Sequence, residues 1–256
     1  MTGSNGDDLF CYEKQLQQNH ADTRLDIVAQ ADSTQNQVNP DSVLIADSQQ
    51  SGVGRRGNHW LSPAGQAISL SYRFTLPLPA RALSGYQLTA ALAVTACLRH
   101  FGCREKRLLK WPNDLVFNRR KFGGILINLC PGQNQSTDVI VGIGLNWRLN
   151  DAALKQVDQA ICNVPLNKKP DRGLFIDRLL STLKLNNQRF CEHGLAPFLA
   201  QWSDQDSLHN SHIELHQDGS CVRGLYAGLS PAGELQIRRQ GEICRFGSGE
   251  VSVRPL

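Results

Sequence analysis

The stretch after Ser84 constrains the fold more than any other. From Tyr86 to Phe101 it is built almost wholly of Ala, Leu, Val, Thr, Cys and aromatic residues, and Gly102 supplies a stop. At helical spacing its apolar residues face every direction instead of forming one stripe, so this helix has to be enclosed by other elements. Its most apolar part, Ala90 to Leu98, is far shorter than the roughly 20 residues that span a bilayer, so the enclosure is protein. The surrounding sequence offers a sheet. Short β-type runs occur at Val43–Ala46, Ala67–Phe74, Arg107–Trp111, Leu115–Phe117, Gly124–Leu129 and Asp138–Trp147. A second helix opens at Asp171 and carries Leu174, Phe175, Leu179, Leu183 and Phe190 on one track. The class expected is α+β.

Three segments follow from texture. Residues 1–24 are polar and Gln/Asn/Asp-rich, and are expected to fray or to form at most a short helix around Leu16. Residues 25–203 carry the large body. Residues 204–256 turn into consecutive hairpins, His212–His216, Cys221–Leu229, Gly233–Arg239 and Ile243–Val253, which predict a small β domain. The eight cysteines are dispersed with no CxxC, and the N-terminus has Asp7 and Asp8 where a leader needs positive charge. Reduced thiols and a cytoplasmic location are therefore expected. A net charge of +4 suits an anionic ligand but is too weak for a nucleic-acid coat.

Four segments carry chemistry. In Gln49–Trp60 (QQSGVGRRGNHW), three glycines allow a tight turn whose N–H groups approach an anion, and Arg55 and Arg56 add planar cations. Alone, such a loop could equally be a solvated basic turn. In Lys110–Asp114 (KWPND), Pro112 ends a strand and presents Asn113 and Asp114, groups that suit a purine edge, a hydrated Mg²⁺, or simply an Asx turn. In Arg120–Leu126 (RKFGGIL), Lys121 stands at the mouth of an apolar strand. In Val141–Trp147 (VGIGLNW), alternate glycines bare one strand face for a flat ligand or for close packing. His209, His212, Glu214 and His216 also cluster, more simply as a solvated strand than as metal ligands.

The order and spacing of QQSGVGRRGNHWLSP, KWPNDLVF, RKFGGILI and VGIGLNW resemble the biotin–protein ligase family. The resemblance begins near residue 25, takes in Asp32-Ser33-Thr34-Gln35, and ends in GEVSVR at Arg254. It implies a mixed central β-sheet with flanking helices, followed by an SH3-like β-barrel. It also implies ATP-dependent ligation: biotin and Mg·ATP give biotinyl-5′-AMP, and a lysine of a biotin carboxyl carrier protein then receives the biotin. By this resemblance Lys121 and Arg55 are catalytic. The biotin pocket takes Ser33, Thr34, Gln35, Gln49, Val53, Gly54, Arg55, Lys121 and Gly124. The nucleotide side takes Arg56, Trp60, Asn113, Asp114, Gly142, Gly144 and Asn146, with Asp114 as a Mg²⁺ contact.

Three positions depart from the family pattern. Gln35 stands where Asn is usual, Val53 replaces the first loop arginine, and Ile161 lies in the region where the best-known bacterial member covers adenine with Trp. Only about thirty residues precede Asp32, too few for a winged helix, so specific DNA binding is not expected. No membrane partner is expected, and a homodimer is left open. Lipoate or octanoyl transfer is the neighbouring alternative, disfavoured by the missing Arg-Arg-x-Ser-Gly-Gly-Gly loop. A regulator that holds adenylate without transferring it is the third reading.

Overall fold

A computed structural model describes residues 9–217, 220–249 and 251–255. In chain order the first half comprises α1 (Glu13–Asn19), β1 (Arg24–Ala31), α2 (Thr34–Gln37), β2 (Ser42–Gln49), β3 (Ala67–Leu76) and α3 (Tyr86–His100). The chain continues through β4 (Leu109–Lys110), β5 (Asp114–Phe117), β6 (Arg120–Pro131), β7 (Thr137–Asn146) and α4 (Asp151–Leu154). Two helices, α5 (Arg172–His193) and α6 (Ala196–Gln205), precede five strands. These are β8 (His212–Gln217), β9 (Ser220–Leu229), β10 (Leu235–Arg239), β11 (Glu242–Phe246) and β12 (Val251–Pro255).

The body is one seven-stranded mixed sheet in the order β1-β2-β3-β7-β6-β5-β4. Only β1 and β2 run parallel; the other neighbours are antiparallel. Strand periodicity divides the sheet into two unlike faces. On β7, Val139, Val141, Ile143 and Leu145 are at most 2% exposed and belong to the core. The alternate positions, Gly142, Gly144 and Asn146, point the other way. Helices α3 and α5 pack together, and α3 is buried over most of its circumference from Tyr86 to Leu98, as its composition requires. The helix starts after Gly85, held at φ 75°, and Gly102 at φ 91° ends it.

Several local readings shift. Of the two outcomes expected for the first segment, a short helix around Leu16 is the one seen from residue 9 on: Leu9 and Leu16 are at most 1% exposed, and α1 lies against α5. Tyr12 donates to Asp171, and His20 meets Asp177 at 3.0 Å. A Cβ on Gly173 would lie 2.2 Å from the Tyr12 ring, so glycine makes this docking possible. Strand β1 has only a broken alternation, typical of an edge, and was not legible. The run Ile243–Val253 divides into β11 and β12 around Gly247-Ser248-Gly249.

The last five strands form a separate antiparallel sheet in the order β11-β10-β9-β8-β12. It is fastened to the body at Asp206, which is 2% exposed. This carboxylate accepts from Trp202 Nε1 at 3.2 Å, from the Leu208 amide at 2.9 Å and from the Tyr226 hydroxyl. Burial raises its pKa, with these donors acting in the opposite sense. Arg107 donates to its backbone carbonyl at 2.7 Å, and Ser207 donates to Leu109 of β4 at the same distance. Tyr226→Phe removes one of three donors from a buried carboxylate and is expected to cost about 1–2 kcal/mol, read as a lower urea midpoint. An unchanged midpoint would deny the fastening role.

Candidate active site

The sheet face opposite α3 and α5 forms the floor of a cleft of about 910 Å³. Its strands are stripped of bulk there. Gly144 pairs with Gly124 on one side and with Ser69 on the other, while Gly142 pairs with Leu126 and Ser71. The indole of Trp60 lies on this bare patch, and a Cβ on Gly144 would fall 2.4 Å from it. The glycine alternation therefore serves a flat group on the cleft side, while the intervening residues fill the core.

One end of the cleft is polar and neutral. The Thr34 amide and hydroxyl donate to Gln49 Oε1 at 2.8 and 3.1 Å. The Ser71 hydroxyl reaches Thr34 Oγ1 at 3.0 Å and Gln35 Oε1 at 3.1 Å. Gln35 Nε2 continues the chain to Asn128 Oδ1 at 2.6 Å. The extra methylene of Gln35 thus reaches across β7, where Gly142 leaves room: a Cβ there would sit 2.2 Å from Gln35 Oε1. Ser33 is 1% exposed and does not line the cleft, and its Oγ has no hydrogen-bond partner.

The other end is cationic. Lys121 Nζ lies 2.6 Å from Asp114 Oδ1 and 5.7 Å from the Trp60 ring centroid. Its backbone is clamped by the Ala160–Cys162 segment, with bonds of 2.9 Å from Lys121 N to Ala160 O and from Cys162 N to Lys121 O. Asn146 Nδ2 braces the same two segments through the Lys121 and Cys162 carbonyls at 3.3 and 3.0 Å. The flap is a small hairpin. Gly54 N donates to Asn58 O and Trp60 N to Gly52 O, both at 2.7 Å, with Arg56 and Gly57 in the left-handed region at φ 59° and 72°. Arg55 donates to Asn113 Oδ1 at 3.1 Å, and Asn113 Nδ2 holds Ile125 O at 2.8 Å. Burial lowers the Arg55 pKa, and neighbouring Arg56 adds to the effect.

Except for Ser33, the cleft gathers every residue that the family resemblance assigns to the site, along with Ile161. In this arrangement the amide groups of Asn113 and Asn146 brace backbone and Arg55. The motifs also hid contributors. Lys110 lines the cleft; burial lowers its pKa, Asp114 opposes that, and Lys121 and Arg254 add to it. Ser71 was unremarked because a serine in an alternating strand carries no signal until its partners are known. Of the histidine cluster, Glu214 and His216 do meet, but with Cys221, and Glu214 is held by Arg223 at 2.6 Å. No helix among the described residues is long and apolar enough to cross a membrane.

A cleft with a neutral polar end, a bare floor and a cationic end has the chemistry to suit an elongated acid beside a second anion. Residues 17–146 match the Biotin/lipoate A/B protein ligase family. The bifunctional ligase/repressor BirA of Escherichia coli is 31% identical over 216 residues, 82% of this chain and 65% of that protein. The chain thus spans less than two thirds of that relative's length. A biotin–[acetyl-CoA-carboxylase] ligase of Mycobacterium tuberculosis is 31% identical over 243 residues, 89% of this chain and 88% of that one. The solved biotin protein ligase of Aquifex aeolicus, in complex with biotin and ATP, is similar at a TM-score of 0.78 and 26% identity, covering 91% of this chain and 99% of that one. Motif order, cleft and fold agree with these likenesses, and the chain belongs to the biotin/lipoate A/B protein ligase family.

Proposed function

We propose that this chain is an ATP-dependent biotin–protein ligase. The observation that carries the reading is the gradient along one cleft, from the Thr34–Gln35–Gln49–Ser71 network to the cations Arg55, Lys110, Lys121 and Arg254 with Asp114 among them. A urea ring offers the donors and acceptors the first end needs, and a carboxylate at the far end of an aliphatic chain reaches Lys121. In the first step a carboxylate oxygen of biotin attacks the α-phosphorus of ATP, and the bond to the bridging oxygen breaks to release pyrophosphate. Two anions resist this approach; fixed cations offset the repulsion and hold them in line. In the second step the amine of a carrier lysine attacks the acyl carbon, AMP leaves, and the amine gives up a proton.

The roles follow position. Lys121 exchanges Asp114 for the biotin carboxylate and α-phosphate, and Arg55 retains the adenylate beneath the flap. Trp60, Arg56 and Ile161 border the nucleotide, Gly142 and Gly144 supply its floor, and Asn113 and Asn146 keep the arginine and lysine placed. Mg²⁺ arrives with ATP; one carboxylate, Asp114, together with phosphate oxygens is a usual way of holding it. The partner in the second step is a biotin carboxyl carrier domain, and we assign the reaction to the cytoplasm.

Biotin-dependent exchange of labelled pyrophosphate into ATP tests the reading. Lipoate has no hydrogen-bonding head for the polar end, so biotin is expected to be preferred by about 10⁴ in kcat/KM. Exchange with lipoate but not biotin would transfer the assignment to the lipoate branch of the family.

A further inference from the structure

Arg55 belongs to the flap between β2 and β3, yet it is anchored from the other domain. Its Nη2 donates to the carbonyls of Ser248 and Gly249, in the turn that joins β11 to β12, while Nη1 takes Asn113. These three acceptors are neutral, and the nearby carboxylate Asp114 is engaged by Lys121 at 2.6 Å. A guanidinium has five N–H donors in a fixed fork, so Nε and one Nη1 hydrogen stay available for an anion. Neutral acceptors aim the fork without cancelling its charge. The flap has little else to fix its tip: Arg56, Gly57, Asn58 and His59 are exposed. The same turn leads into β12, whose Val253 and Arg254 line the cleft.

We infer that the Ser248 and Gly249 carbonyls form a latch that positions Arg55, so that the small β domain controls how tightly the flap holds the acyl-adenylate. The latch concerns this chain's own backbone and acts through Arg55; its consequence for adenylate rests on the ligase reading above.

Two variants move the carbonyls without altering a cleft-lining side chain: removal of Ser248, and insertion of one glycine after it. Gly249→Ala is the control, since no atom lies within 4 Å of a Cβ there and the carbonyls stay in register. Two readouts keep the questions separate. In the ligand-free protein, hydrogen exchange at the Gly54 and Trp60 amides is expected to quicken at least tenfold in both variants and to stay unchanged in the control. With biotin and Mg·ATP, adenylate dissociation is expected to quicken by about ten- to a hundredfold, the range for losing one hydrogen bond to a charged group. Bystander labelling of serum albumin should rise with it, and in an Arg55→Gly background the turn variants should add nothing further.

If both variants keep their circular dichroism and melting temperature but exchange and release stay at wild-type rates, the latch is wrong. Additivity with Arg55→Gly would also overturn it, because the turn would then act by another route. If removal of Ser248 unfolds the chain, the insertion variant decides on the same criteria. A wild-type protein with no biotin-dependent exchange would sink the ligase reading instead, and hydrogen exchange of the flap would still judge the latch.

Discussion

Lys121→Ala is expected to lower biotin-dependent pyrophosphate exchange by about 10³ while leaving the fold intact. A unit charge about 4 Å from another in a partly solvated cleft contributes roughly 4 kcal/mol at an effective dielectric constant near 20, which corresponds to about a thousandfold in rate. The side chain has little structural duty to set against this loss. Its ammonium meets Asp114 and the Trp60 face, while the backbone bonds to Ala160 and Cys162 would survive truncation. The substitution also leaves Asp114 without its cation beside an incoming carboxylate. Adding Asp114→Asn should therefore recover biotin affinity, by about tenfold, without restoring chemistry. Circular dichroism, exchange kinetics and calorimetry separate these outcomes. Wild-type exchange in Lys121→Ala would remove Lys121 from the mechanism.

What was legible in the sequence follows from the kind of signal each residue leaves. The enclosed helix and the alternation of β7 could be read because burial selects side chains at a fixed period. The cleft motifs could be read because glycine and paired charges are conspicuous in a strand or loop. Gln35 looked like a departure, its amide one methylene further out than the usual Asn. The structure gives that amide Asn128, 93 residues away, and a space that Gly142 leaves open. Such a contact depends on strand order and has no local trace. The same reason hid Asp206, whose donors Trp202 and Tyr226 converge only after the small domain has docked. The N-terminal helix was half visible: Leu16 marked it, but its anchoring depends on Asp171, which precedes α5, and on Gly173 and Asp177 within it. Backbone acceptors such as Ser248 and Gly249 leave no signature in residue types, so a latch made of carbonyls can be found only in coordinates.

Gly144→Val carries the other large effect, and it tests the bare floor instead of the charges. The β carbon alone would fall 2.4 to 2.7 Å from three indole atoms of Trp60, well inside contact distance, and two methyl groups would extend further. Yielding is difficult on both sides. The strand is the centre of the sheet, paired at this residue with Ser69 and Gly124, and the indole is a rigid plate whose own backbone is tied to Gly52. The indole has to leave the floor, and the flap that carries it has to lift with it. The core face of β7 is untouched because Ile143 and Leu145 point the other way, so thermal stability should change by less than a core substitution would. With biotin present, ATP affinity is expected to fall by at least a hundredfold in calorimetry, with Trp60 fluorescence shifted toward that of a solvated indole. Gly144→Ala should lie between the two. If Gly144→Val binds ATP as the parent does, Trp60 is not part of the nucleotide pocket wall, and the alternation of glycines on β7 has to be explained by the sheet alone.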